Sequence, residues 1–161
     1  MSNKLFIIRG LPGSGKSTYA VQQNFMSNNN SNIFEADHFF DNPANLVDYR
    51  FDASLLQYAH TKCLGDTAYH LRWKGDAYVA NTFTQWWEIE KYLLMAKALG
   101  CDTEIVLCTG GYDSIHGVPD DVLTKMAKRM HTNQYIFDKL KDDSGVTDIA
   151  VSLYIYTPEV D

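Results

Sequence analysis

The sequence predicts one α/β domain over residues 1–161, with a mainly parallel sheet of about five strands and helices on both faces. Three observations carry this. Short apolar runs alternate with stretches of helical spacing along the whole chain. The runs are continuous rather than alternating, as strands buried on both faces require. A glycine-rich turn, "RGLPGSGKST" (Arg9 to Thr18), joins the first run directly to the first helical stretch.

The elements follow in order. Leu5 to Ile8 reads as a buried strand and Lys16 to Phe25 as a helix opening from the glycine turn. Asn28 to Asn32 is a polar turn, and "IFEAD", Ile33 to Asp37, reads as a second short strand. Phe40 to Asn45 is loop-like, broken by Pro43. From Ser54 to Trp73, Leu56, Ala59, Cys63, Thr67 and His70 recur in steps of three and four, predicting a helix. Asp76 to Thr82 is the next strand. Trp86 to Leu99 is a helix with Trp86, Ile89, Leu93 and Ala96 on one side, ended by Gly100 as a left-handed cap. Thr103 to Cys108 is a strand. Pro119 to Met130 is a helix with proline in its first turn, and Ile149 to Tyr156 closes the chain as a strand.

Composition narrows the function. The 161 residues are 45% hydrophobic and 21% charged, enough for one compact core, and carry a net charge of −6. That charge argues against a broad basic surface for duplex nucleic acid, which binds by neutralising phosphates. Cys63, Cys101 and Cys108 form no CxxC pair, and the five histidines show no zinc spacing. Reduced thiols in a cytoplasmic protein are the expectation. No apolar leader or membrane-length run is present, so no membrane partner is expected.

The glycine turn carries the chemistry. Gly10-x-x-x-x-Gly15-Lys16-Ser17 fits the phosphate-binding P-loop, and it stands after a strand and before a helix as that motif requires. Its glycines let backbone N–H groups turn toward phosphate oxygens, and the helix N-terminus adds unpaired donors and a positive dipole. The candidate nucleotide-binding set is Gly10, Pro12, Gly13, Ser14, Gly15, Lys16, Ser17 and Thr18. Lys16 would bridge the β- and γ-phosphates of ATP or another nucleoside triphosphate, and the Ser17 hydroxyl would ligate Mg²⁺. The architecture is then a three-layer P-loop NTPase fold.

Asp37, within "EADHFF" (Glu35 to Phe40), stands at the end of the second predicted strand, where ligands of open α/β sheets bind. An acid there can accept a hydroxyl proton or support Mg²⁺. From the residue alone, a turn-capping aspartate is an equal reading.

Five blocks, "RGLPGSGKST", "EADHFF", "YRFDASLLQYAHTKC", "VANTFTQWWEIEKY" and "IHGVPDDVLTKMAKRM", run in order from about Leu5 to about Met130. Together they resemble the polynucleotide 5′-kinase-like branch of P-loop kinases. That group includes small phage-type proteins labelled AAA-family ATPases and zeta-toxin-like kinases. The resemblance implies transfer of the ATP γ-phosphoryl group to a hydroxyl on a nucleoside, a nucleotide or a nucleic-acid 5′ end. It makes Lys16 and Asp37 the catalytic pair, with Asp37 as general base, and Ser17 and Asp37 the metal-supporting residues. It sets Asn81 and Thr82 beside the phosphates, a lid at about 110–118, and Arg129 near the nucleotide base.

Two departures stand out. Ala80 occupies a place where the family often has a Walker-B aspartate, and "TGGYDS", Thr109 to Ser114, lacks the arginines usual in the lid. Lys125, Lys128 and Arg129, on one helical face, are substitute cations or simply a solvated face. The departures keep a second class open, a nucleotide-binding regulatory protein or slow ATPase. Other readings also remain open. His60 approaches an acceptor pocket or is structural. His116 contacts phosphate or fixes the lid. Tyr49 and Arg50 shape an acceptor site or a surface turn. Trp86 is more readily core, and Trp87 could stack a base.

Overall fold

The computed structural model describes residues 2–41, 51–111, 118–142, 146 and 149–158. Pro43, Tyr49, Arg50, His116 and most of the expected lid lie outside them. The elements are β1 (Leu5–Arg9), α1 (Lys16–Met26), β2 (Asn32–Phe34), 3-10 turns at Ala36–Phe40 and Ala53–Leu55, α2 (Leu56–Trp73), β3 (Ala77–Ala80), α3 (Trp86–Leu99), β4 (Thr103–Cys108), α4 (Asp120–Arg129), α5 (Asn133–Asp142) and β5 (Val151–Tyr156).

The five strands form one sheet in the order β2-β3-β1-β4-β5. Every pairing is parallel, with Ile7 opposite both Val79 of β3 and Ile105 of β4. β1 is central, and its side chains alternate between two cores. Leu5 and Ile7 pack with Ala59, Cys63 and Leu71 of α2, Ile89, Leu93 and Ala96 of α3, and Ile136 of α5. Ile8 packs on the other face with Ala20 of α1, Tyr78, Ala80, Val106 and Cys108. Leu5, Ile7 and Ile8 are fully buried, each worth about 1.5–3 kcal/mol of transfer free energy. The chain leaves β1 leftward over one face through α1, and returns rightward over the other through α2 and α3. Right-handed crossovers demand this change of face when direction reverses. It makes the carboxyl end of β1 the switch point of the sheet, where such folds bind ligands.

The predicted elements are present, with some of their bounds shifted. β2 stops at Phe34 and does not reach Asp37, which lies in the 3-10 turn. The cause is Asn81, whose Oδ1 accepts the Ala36 N–H at 2.8 Å and takes it out of the sheet ladder. Pro119 is the residue before α4 rather than its first turn. β5 begins at Val151, two residues after the predicted Ile149. The sequence reading left no element between Met130 and Ile149, yet α5 forms there. Thr132 Oγ1 accepts the Tyr135 N–H at 3.1 Å as a cap, and Ile136 and Leu140, one turn apart, pack against the core. Gly100 ends α3 at φ 69° as predicted.

Candidate functional site: a phosphate loop beside a walled cavity

The turn after β1 folds as a closed nest. Gly10 N–H donates to Thr82 O at 3.2 Å, Ser14 N–H to Leu11 O at 3.0 Å, and Gly110 N–H to Ser14 O at 2.9 Å. The loop is thereby tied to the ends of β3 and β4, the strands flanking β1. Gly10 has no room for a side chain: a Cβ there would meet the Ser14 side chain and lie 2.7 Å from the Cys108 carbonyl. Gly15, at φ 96°, opens α1 without a side-chain cap, and α1 has no acid in its first turn. The first N–H groups of α1 are therefore left for an anion. The Ser14 hydroxyl, 2% exposed, has no hydrogen-bond partner. A buried orphan hydroxyl costs free energy unless a ligand satisfies it.

Lys16 lies over the loop and donates to Leu11 O at 2.9 Å. Burial lowers its pKa to about 8, against the opposing pull of Cys108, Glu35 and Asp37. Ser17 Oγ, on the first turn of α1, donates to Glu35 Oε1 at 2.6 Å. Glu35 Oε2 meets His38 Nε2 at 3.1 Å. Burial pushes the Glu35 carboxyl up, but hydrogen bonds from His38 and Ser17 and the charge of Lys16 outweigh it and hold the group below its usual value. The same bond to Glu35 raises the His38 pKa against partial burial. Glu35, the first residue of "EADHFF", is a site residue that the sequence analysis did not single out. Its spacing gave no signal, because only packing of α1 against β2 brings Ser17 and Glu35 together.

Asp37 is half-buried. Its charge is felt by both Lys16 and His60 of α2. His60 belongs to the wall of a cavity of about 440 Å³ between α2 and α3. Leu56, Gln57, His60, Thr61 and Leu64 of α2 face Trp87, Glu88, Lys91 and Tyr92 of α3, with Asn81 and Phe83 at the base. The spacings of three and four put each set on one helical face. α2 and α3 both enter from the carboxyl side of the sheet, so their first turns flank the same edge as the loop. Burial lowers the His60 pKa. Of the two tryptophans, Trp86 is core at 9% exposed, while Trp87, 54% exposed, lines the cavity.

Arg9 holds the base of this site together. It is fully buried, and its guanidinium donates to Phe83 O at 3.0 Å through Nε and to His131 O at 2.7 Å through Nη2. Burial lowers its pKa to about 10, with Glu88 opposing. Phe83 stands at φ 45°, an unfavourable left-handed conformation for a bulky residue. Arg9 on its carbonyl and an edge-on contact with Tyr92 at 5.2 Å hold it there. Pro12 is half-buried within the loop, Gly13 has φ 80°, and Thr18 is exposed on α1. Asn81 and Thr82 do stand beside the loop: Asn81 N–H donates to Ile8 O at 3.2 Å, next to the Gly10–Thr82 bond. Lys125, Lys128 and Arg129 are exposed on α4, Arg129 in its last turn. Among the described residues no helix is long and apolar enough to cross a membrane, and no group of three or more His, Cys, Asp or Glu forms a metal cluster.

Solved structures with this fold are similar at low identity. One chain of the Pnkp1/Rnl/Hen1 RNA repair complex superposes with a TM-score of 0.64 at 17% identity, over 86% of this chain and 46% of that one. This chain thus spans less than half of that relative. Kti12 of Chaetomium thermophilum in complex with ADP-AlF3 superposes with a TM-score of 0.65 at 13% identity, over 98% of this chain and 90% of that one. The Mycobacterium tuberculosis APS kinase CysC in complex with AMPPNP and APS gives 0.56 at 13% identity, over 99% and 91%. No curated protein matches the chain. The family model described as AAA domain matches residues 5–111, from the first residue of β1 through the phosphate loop, the 3-10 turn and both cavity walls to the residues after β4. With the fold, the loop and that match in agreement over more than half its length, the chain belongs to the AAA domain family of P-loop proteins.

Proposed function

We propose that the protein is a P-loop kinase of the polynucleotide 5′-kinase-like kind, moving the γ-phosphoryl group of ATP to a hydroxyl of a nucleoside, a nucleotide or a polynucleotide 5′ end. The observation that carries this reading is that the charge of Asp37 reaches both Lys16 of the phosphate loop and His60 of the cavity wall. An acid within electrostatic reach of both a phosphate cradle and a second cavity suits a kinase, which takes a proton from its acceptor hydroxyl.

In this reading the loop N–H groups, the first turn of α1 and the Ser14 hydroxyl hold the β- and γ-phosphates, and Lys16 leaves Leu11 O to meet them. The acceptor hydroxyl, presented from the cavity, gives its proton to the Asp37 carboxylate. Its oxygen bonds to the γ-phosphorus as the bond to the β–γ bridging oxygen breaks, and ADP leaves with that electron pair. Positioning and charge neutralisation supply the rate. Ser17 and Glu35 present a hydroxyl and a carboxylate side by side, hard oxygen donors of the kind Mg²⁺ takes. Asp37, whose charge Lys16 feels, would share the role. Bound Mg²⁺ would neutralise charge on the phosphate oxygens. Glu35 then serves where Ala80 replaces the usual Walker-B acid. The relatives whose names include a kinase or an ADP-AlF3 complex support nucleotide use by this fold.

Transfer of labelled γ-phosphate tests the proposal, with nucleosides, nucleoside monophosphates and 5′-hydroxyl oligonucleotides as acceptors and water as control. Label on an organic acceptor supports it. Label released only as inorganic phosphate favours the slow-ATPase or regulatory reading, which the lack of lid arginines and of an acid at Ala80 keeps in view.

A further inference from the structure

The cavity between α2 and α3 has features that select its occupant. Its volume, about 440 Å³, lies within the range of small-molecule sites, roughly 300–1,000 Å³. Its walls combine flat aromatic surface with a few polar groups. Trp87 offers a half-exposed indole whose N–H is already committed to Gln85 Oε1 at 2.7 Å, so its ring face, not its donor, is available. The Tyr92 hydroxyl, in a side chain 4% exposed, lies against the Cys63 thiol, a weak partner, and has no stronger one. Phe83 is held in its strained conformation at the base. Among the described lining residues the charges balance: one cation, Lys91, and one carboxylate, Glu88. Lys91 itself lies over the Trp87 ring at 4.8 Å, and Glu88 is engaged by the Gln85 N–H and the Thr84 hydroxyl at 2.9 Å each.

We infer that this cavity binds a free, nucleoside-sized acceptor, a planar ring carrying a hydroxyl, rather than the end of a polynucleotide strand. The inference rests on the kinase reading above and deepens it by naming the acceptor class. A strand brings one negative charge per nucleotide and is held by a basic track with aromatic platforms. Here the platform is present and the described walls carry no net charge, on a chain whose overall charge is −6. A planar ring stacks on Trp87, its polar edge meets the Tyr92 hydroxyl, which otherwise has only the weak Cys63 thiol, and its hydroxyl faces the Asn81–Ala36 junction that leads into Asp37.

The test is equilibrium binding by calorimetry to the full chain with a non-hydrolysable ATP analogue and Mg²⁺ present. The probes are adenosine, guanosine, cytidine, thymidine and a 5′-hydroxyl thymidine dodecamer. At least one nucleoside should bind, the dodecamer should bind no tighter than thymidine, and binding should change little with salt. Trp87→Ala, at an exposed position, should weaken nucleoside binding by about tenfold. Tyr92→Phe, which keeps the ring, should weaken it by several-fold with an unchanged melting temperature. A dodecamer that binds tenfold or more tighter, with affinity falling steeply with salt, overturns the inference. So does the absence of nucleoside binding, or wild-type affinity in both variants. The kinase reading is judged separately: nucleoside binding with no phosphoryl transfer to that nucleoside leaves the pocket standing and removes the chemistry.

Discussion

The Ser17 hydroxyl donates to the Glu35 carboxylate across 2.6 Å, joining the first turn of α1 to the end of β2. Ser17 is the motif residue expected to meet Mg²⁺, and Glu35 is the acid that touches it. Glu35→Gln keeps the shape and removes the charge. ATP affinity in Mg²⁺ should fall by about tenfold, the usual scale for losing a group that supports a metal site. Affinity in excess chelator should stay the same. Titrating ATP at several Mg²⁺ concentrations reads this directly, and equal losses with and without Mg²⁺ would assign Glu35 to the loop's shape alone.

Asp37→Asn separates base from binder. Nucleotide affinity should survive, while transfer to the acceptor should fall on the order of 10²–10⁴-fold, the usual contribution of a general base. Added Mg²⁺ should not restore the rate if the lost role is proton acceptance. Partial rescue at high Mg²⁺ would move Asp37 to the metal instead.

Lys16→Met should abolish tight triphosphate binding and leave the fold intact. The ammonium is partly buried with a lowered pKa and donates to Leu11 O. An uncharged methionine avoids that burial cost, so the melting temperature of the nucleotide-free protein should hold or rise. Calorimetric ATP titration and a thermal scan check the pair of outcomes. Unchanged ATP affinity would remove the phosphate site.

Gly10→Ala should lose nucleotide binding by a different route. The added methyl meets the Ser14 side chain and the Cys108 carbonyl, neither of which can retreat far without opening the loop. Affinity should drop while α1 stays folded, a combination that nucleotide titration and circular dichroism distinguish from general unfolding.

Arg9→Met should destabilise the whole domain. It leaves the Phe83 and His131 carbonyls without the guanidinium that they accept from, the first of these bonds buried. Buried groups left unpaired cost about 1–3 kcal/mol each, so the urea midpoint should fall markedly. A midpoint within error of wild type would show that the connection from Thr84 N-terminal of α3 to His131 does not depend on Arg9.

What the sequence decided by itself was the scaffold and the phosphate loop. A short continuous apolar run such as Leu5 to Ile8, bounded by turn residues, fits a strand buried on both faces, and the glycines of Gly10 to Gly15 fit a turn that other residues adopt only with strain. Local chemistry dictates both, so both are legible in the chain. The loop's neighbours were not. Glu35 lies eighteen residues from Ser17, Arg9 bonds to Phe83 and His131 at separations of 74 and 122 residues, and the cavity joins faces of two helices that no spacing rule connects. Asp37 was singled out from its place at a predicted strand end, yet that strand ends early because Asn81, forty-five residues away, takes the Ala36 N–H. Such pairs form only when the sheet order β2-β3-β1 brings their strands to one edge. Hydrogen bonding is short-ranged in space and indifferent to distance along the chain. The tertiary structure therefore chose the partners of Ser17, Arg9 and Asn81, and with them the geometry of the site.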